Sequence, residues 1–273
     1  MGNVNATNRW EDRYEKISEL GRGYFGVVYK AKRFNIEYYA VKEVNNVSEL
    51  ALQEIKILKD LEHKNIVQFF EHFINNGQLA IVMEYADEGT MLEFRKNLSH
   101  QKENELIKED VIWEVMKQLA SPLDYLHQNR IMHRDLKPDN ILCFSDQWNE
   151  LPIFKLSDFG ISKHVDGDTQ QGYYTGTQIF YACSYTYAAP EVIKGQNYTF
   201  SADMWSLGAL ISFWFNGKHL FTDVEDVLEW EGETSTLSRK FSKFGIRTAV
   251  AILLDPDYHN RPDVDDVLSL RYD

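Results

Sequence analysis

The sequence predicts an α+β fold in two lobes: a smaller one built on an antiparallel sheet plus one helix, and a larger, mainly helical one. Three observations carry that expectation. The first third of the chain alternates apolar and polar residues as strands do. Beyond residue 90, apolar residues recur at helical spacing. The 273 residues, 44% hydrophobic with only 6 Pro and 15 Gly, suffice for one large domain or two lobes.

The elements follow in order. "YEKISELGRG" (14–23) and "GVVYKAKRF" (26–34) are strands flanking a glycine turn, and "EYYAVKEV" (37–44) is a third. A helix over about 48–61 places Leu50, Ile57, Leu58 and Leu61 on one face. "IVQFFEHF" (66–73) and "QLAIVMEY" (78–85) complete the strands, and a hinge falls near Glu84 to Glu88. The clearest later helices are 106–128 and about 200–216. The longest apolar run, "ALISFWF" at 209–215, is too short to span a bilayer and fits a buried helix.

Composition narrows the function. A net charge of −13 argues against a nucleic-acid surface and against an anionic membrane, and is compatible with a basic partner. Cys143 and Cys183 form neither a metal spacing nor a disulfide framework, which favours a reducing, cytoplasmic or nuclear address. No apolar leader opens the chain. Gly2 raises N-myristoylation, but position 6 is Ala where Ser or Thr is wanted. The sequons at 5–7, 97–99 and 197–199 would go unused in such a compartment.

Four constellations carry chemistry. In "GRGYFGVV", Gly21, Gly23 and Gly26 would let backbone N–H groups approach phosphate oxygens without a Cβ in the way; a plain hairpin also likes glycine. The pattern runs strand to strand, whereas a dinucleotide fingerprint runs strand to helix. Second, Lys42 shares a strand face with Ala40, and Glu54 falls on the apolar face of the following helix. A Lys42–Glu54 pair would resolve both misfits; the alternative is two ordinary surface charges. Third, "IMHRDLKPDNIL" (131–142) sets charges between apolar anchors. Asp135 can accept a proton from a hydroxyl, Lys137 can neutralise charge on a moving phosphoryl group, and Asn140 can ligate Mg2+. Fourth, Asp158 in "SDFG" is a second metal-ligand candidate, with Gly160 letting the chain turn.

Taken in order, "GRGYFGVV", "AVK", "HRDLKPDN", "DFG" and "AAPE" resemble the signature set of eukaryotic protein kinases, across about residues 14–270. The resemblance implies a kinase domain over 14–270, a smaller lobe to about residue 85, a larger lobe from about 86, and residues 1–13 as an N-terminal extension. It implies ATP and Mg2+ as cofactors and a protein substrate with a Ser or Thr acceptor. Gly21, Gly23 and Gly26 would cover the phosphates, and Lys42, paired with Glu54, would hold the α- and β-phosphates. Asp135 would deprotonate the acceptor hydroxyl, Lys137 would steady the phosphoryl group, and Asn140 and Asp158 would hold Mg2+. Met83 would stand behind the adenine, the Glu84–Ala86 backbone would contact it, and Val28, Ala40 and Leu142 would sandwich it. His133 and Phe159 would pack with Leu58 and Phe69; Glu191 would pair with Arg261; Asp203 would support the catalytic-loop backbone. "DLKPDN" resembles the serine/threonine type. A nucleotide-binding pseudokinase scaffold and a dual-specificity kinase are the alternatives.

The chain departs from the family pattern in places. Counted back from Tyr187, the position where many kinases have Gly-Thr reads Cys183-Ser184, and an earlier pair stands at Gly176-Thr177. Thr175 or Thr177 is the expected target of an upstream activating kinase, with Arg134 and Lys163 as phosphate partners. Four residues separate Asp255-Pro256 from Arg261-Pro262, where two are common, which reads as a loop insertion. The acidic run 222–233 is either a solvated helix face or a recruiting surface for basic substrates.

Overall fold

The computed structural model describes residues 9–23, 26–34, 37–44, 47–75, 77–101, 108–164, 185–232 and 245–269. The smaller lobe is an antiparallel sheet of β1 (Glu15–Gly23), β2 (Gly26–Arg33), β3 (Glu37–Val44), β4 (Phe69–Asn75) and β5 (Gln78–Glu84) in the order β1-β2-β3-β5-β4. Helix α1 (Glu49–Asp60) follows β3, opened by Ser48, whose hydroxyl accepts from Ala51 N at 3.2 Å. The register pairs Val28 with Lys42, Ala40 with Met83, and Lys42 with Ile81, so these side chains share one face. The opposite face carries Ala31, Tyr39, Val41, Phe73, Ala80 and Val82.

That second face is covered by Trp10 and Tyr14. Trp10 Nε1 donates to Glu43 Oε1 at 2.7 Å, and the Tyr14 hydroxyl donates to Glu71 Oε1 at 2.7 Å. Trp10, within the segment 1–13 that the sequence set apart as an N-terminal extension, therefore packs on this lobe. Strand β4 also starts at Phe69, later than its apolar run suggests. Residues 65–67 are spent on the other lobe: Val67 N donates to Leu156 O, and Leu156 N to Asn65 O, both at 2.9 Å.

The larger lobe contains α2 (Met91–Gln101), α3 (Glu109–Gln128), α4 (Pro190–Ile193), α5 (Ser201–Asn216), α6 (Val224–Leu228), α7 (Ile246–Leu253) and α8 (Val264–Ser269). Short strands β6 (Ile131–Met132) and β9 (Lys163–His164) pair, as do β7 (Ile141–Phe144) and β8 (Ile153–Leu156). Helix α5 is buried all round from Ala202 to Trp214, which explains its apolar run. Among the described residues no helix is long and apolar enough to cross a membrane.

Candidate active site

Lys42 lies on the sheet face turned toward α1 and is buried there. An ammonium there requires anions. Its Nζ donates to Glu54 Oε1 at 2.7 Å and to Asp158 Oδ1 at 2.8 Å. Burial works against the charged lysine, but the carboxylates of Asp158 and Glu54 prevail and hold its pKa above the ordinary value. Glu54 is 3% exposed; burial, joined by the neighbouring Asp158 charge, pushes its carboxyl up despite Lys42. Asp158 keeps 29% side-chain exposure, and although burial opposes it, Lys42 draws its pKa below the usual carboxylate range.

The sequence placed a turn at Gly160, but the left-handed residue is Asp158, with φ 60°. Glycine at 160 answers a need for space. A Cβ there would lie 3.4 Å from Glu54 Oε2 and 3.3 Å from Asp158 Oδ1. Gln53 Nε2 on α1 donates to Ser162 O at 3.1 Å, so helix and segment are joined a second time.

The catalytic-loop candidates lie between β6 and β7. Arg134 has φ 73°, a costly backbone for a non-glycine residue. Buried Asp203 holds it there: Oδ2 accepts from His133 N and Oδ1 from Arg134 N, each at 2.9 Å. His127 Nε2 lies 3.0 Å from the same carboxylate. His133 is fully buried, 4.9 Å from the Phe159 ring; its Nε2 donates to Ser157 O at 3.1 Å, and burial lowers its pKa. Those contacts describe a neutral, packed imidazole. Leu58 and Phe159 belong to the same apolar cluster, with Phe69 packed against it.

Asp135 is buried, and the loop folds its other polar residues around it. Lys137 Nζ donates to Asp135 Oδ2 at 2.7 Å, and Asn140 Nδ2 to the same oxygen at 2.8 Å and to Asp135 O at 2.9 Å. Burial raises the Asp135 pKa, with Lys137 pulling the other way. In these contacts Asn140 uses its amide nitrogen, and Asp158 uses Oδ1 toward Lys42.

Beside this cluster Ala40 and Met83 are buried, and Val28 and Leu142 half-buried. The hinge is knitted to β7 beneath it: Glu88 N donates to Cys143 O at 3.2 Å, and Cys143 N to Gly89 O at 2.8 Å. Glu84 accepts from Lys155 Nζ on both carboxylate oxygens, at 2.8 and 2.7 Å. Gly21 and Gly23 lie in the β1–β2 hairpin, and a Cβ on either would meet nothing within 4 Å. At Gly26 a Cβ would lie 1.9 Å from the Glu43 carbonyl oxygen.

A comparison with protein families matches the protein kinase domain to residues 14–271. The chain belongs to that family. Its relatives are serine/threonine kinases. It is 34% identical to a probable serine/threonine-protein kinase zyg-1 of Caenorhabditis briggsae, over 72% of this chain and 26% of that one. It is 30% identical to the serine/threonine-protein kinase Nek8 of Danio rerio, over 94% of this chain and 36% of the relative. It is also 30% identical to the serine/threonine-protein kinase nekl-2 of Caenorhabditis elegans, over 94% of this chain and 73% of the relative. The chain thus spans well under two thirds of several curated relatives.

Within this kinase domain the supporting pairs form as well. Arg261 donates to both oxygens of Glu191, at 2.7 and 2.9 Å. The longer loop before it is a chain of local turns, with Asp257 N on Asp255 Oδ1 at 2.9 Å and His259 N on Asp257 Oδ1 at 3.0 Å. In the acidic run, Asp223 caps α6 and Asp226 accepts from Thr222, so two of those acids have structural duties. The Lys155–Glu84, Gln53–Ser162 and His127–Asp203 contacts had no sequence signal: each joins residues far apart in the chain. Thr175, Thr177, Cys183, Ser184 and the Lys163 side chain lie outside what the structure describes.

Proposed function

We propose that this kinase domain transfers the γ-phosphate of ATP, with Mg2+, to a serine or threonine hydroxyl of a protein. The observation that carries the reading is the buried Asp135 carboxylate, hydrogen-bonded by Lys137 and Asn140 in one loop. Burial raises its proton affinity, which makes it a better acceptor for a hydroxyl proton than a free aspartate. Lys137, already on Asp135, is placed to neutralise the phosphoryl group as the proton moves.

The residues present fit the nucleotide and its metal. Asn140 spends its amide N–H on Asp135 and keeps Oδ1 available, while Asp158 is partly exposed with Lys42 on one oxygen only. Two oxygen donors from two residues suit a hard cation that retains water and phosphate ligands. Bound Mg2+ would supply neutralisation of phosphate charge. Lys42, oriented by Glu54, would hold the α- and β-phosphates, and Gly21, Gly23 and Gly26 would cover them. Val28, Ala40, Met83 and Leu142 would enclose the adenine against the Glu84–Ala86 backbone. A reducing, cytoplasmic or nuclear setting suits Cys143, a fully buried thiol whose pKa burial raises.

The test is transfer from γ-labelled Mg-ATP to a basic generic protein, with wild type beside Asp135→Asn. Turnover should fall roughly 100- to 10,000-fold in the variant, with nucleotide binding kept. Near-normal turnover of Asp135→Asn would overturn the assignment. Label on tyrosine as well as serine or threonine would mark a dual-specificity enzyme. Nucleotide binding without transfer, after treatment with an upstream kinase, would mark a pseudokinase.

A further inference from the structure

The face assigned to the adenine continues outward past Val28 and Ala40 to a cation that the mechanism leaves unused. Lys30 pairs with Ala40 in the β2–β3 register and lies two residues beyond Val28, so alternation sets it on that same face. No carboxylate pairs with it among the described residues. Its ammonium lies over two aromatic rings, 4.1 Å from the centroid of Tyr38 and 4.3 Å from that of Tyr85. Nζ also donates to the Tyr85 hydroxyl at 3.2 Å. The rings are 6.0 Å apart, tilted at 54°. Their meeting follows from the register: Tyr39 pairs with Glu84, which brings Tyr38 level with Tyr85.

Tyr85 is the first residue after β5, at the centre of the hinge. Its neighbour Glu84 is held from the larger lobe by Lys155. Consecutive hinge side chains are therefore gripped from opposite lobes. An ammonium over two rings is attracted by both, and the hydroxyl contact fixes where along Tyr85 it sits. A chain segment of irregular backbone gains order from such a grip, and an ordered recognition strand binds its ligand with less entropy lost.

We propose that Lys30 is a positioning residue for nucleotide binding: by clamping Tyr85 against Tyr38 it fixes the Glu84–Ala86 backbone and so sets the affinity for the adenine ring. The inference rests on the reading that this backbone contacts adenine. On that reading Lys30 would touch neither the phosphates nor the acceptor, so its loss should act on KM for ATP and leave kcat alone.

Two measurements on Lys30→Met separate the inference from the reading beneath it. Hydrogen exchange at Tyr85 and Ala86 reports the clamp without nucleotide, and titration with a fluorescent ATP analogue reports affinity without transfer. Exchange should be several-fold faster, and affinity for the analogue roughly three- to tenfold weaker. KM for ATP should rise by the same factor, with kcat at saturating ATP unchanged. Lys30→Arg, which keeps a cation for the rings, should restore most of the affinity. Wild-type exchange and affinity in Lys30→Met would overturn the proposal, and so would faster exchange with unchanged affinity. If the wild type itself bound no analogue, the adenine reading would fall and the positioning role with it, while hinge exchange would still decide whether the clamp exists.

Discussion

The Arg261–Glu191 pair in the helical lobe and the Lys42–Glu54–Asp158 cluster between the lobes use similar groups to opposite ends. Arg261 is buried, and its guanidinium is saturated by the protein. It meets both Glu191 oxygens, donates to Ser201 O at 3.1 Å and Asp255 O at 2.8 Å, and lies 5.0 Å over the Trp205 ring. One cation faces one anion. In the cleft, one ammonium faces two carboxylates, and one of those is 29% exposed. A balanced, saturated pair fastens α4 to the loop before α8. An unbalanced, partly open one is suited to receive another cation and the anion that accompanies it. On the proposed reading, incomplete pairing and not burial alone marks the functional charge.

The largest effect should come from breaking the saturated pair. Arg261→Met leaves Glu191 buried without a cation, and stability should fall by about 3–5 kcal/mol in urea unfolding. A loss below about 1 kcal/mol would mean that Glu191 finds water, and the contrast between the two regions would weaken.

Lys42→Met should cost less, about 2–3 kcal/mol near pH 7, because one of the two carboxylates left behind, Asp158, keeps 29% side-chain exposure and so keeps water. The signs of the pH dependence then differ. In the wild type the folded pKa of Asp158 lies below its ordinary value, so its contribution is present above about pH 4 and is lost as pH falls through the folded pKa. Without Lys42, Glu54 and Asp158 are both pushed up. The folded variant then binds more protons than the unfolded chain, and its stability falls as pH rises from about 4 through the raised pKa. The deficit against wild type should therefore be smaller at pH 5.5 than at pH 7.5, changing by at most about 1.4 kcal/mol per pH unit for one proton. A deficit that did not move with pH would show that no carboxylate is left uncompensated.

The same distinction explains what could be read from the sequence. Lys42 and Glu54 were legible because each violates a local period, one on the buried face of a strand and the other on the apolar face of a helix. Asp135, Lys137 and Asn140 were legible because six residues of loop suffice to bring them together. Lys155 was not: it alternates with buried Phe154 and Leu156, so it reads as solvent-facing, and only the fold brings Glu84 to it. The start of β4 was misplaced because Ile66 and Val67 are apolar for the sake of β8. Trp10 was missed because its polar flanks conceal a residue that covers the sheet from outside.

The smallest and most selective test uses two glycines of one motif. A Cβ at Gly26 would lie 1.9 Å from the Glu43 carbonyl oxygen, so Gly26→Ala must push apart β2 and the strand that carries Lys42. That backbone cannot rotate away as a side-chain tip would, and stability should fall by about 1–2 kcal/mol. At Gly21 a Cβ meets nothing within 4 Å, so Gly21→Ala should leave stability within about 0.5 kcal/mol of wild type. If the hairpin covers phosphate, the added methyl nevertheless stands where the ligand must approach, and KM for ATP should rise with the unfolding midpoint unchanged. Should Gly21→Ala leave both alone, the open space at that glycine would be a feature of the hairpin and not of the nucleotide site. Should it unfold the domain, the space is filled by the protein itself. Only a kinetic loss without a structural one places Gly21 with the open, unbalanced region of the molecule and Gly26 with the saturated one.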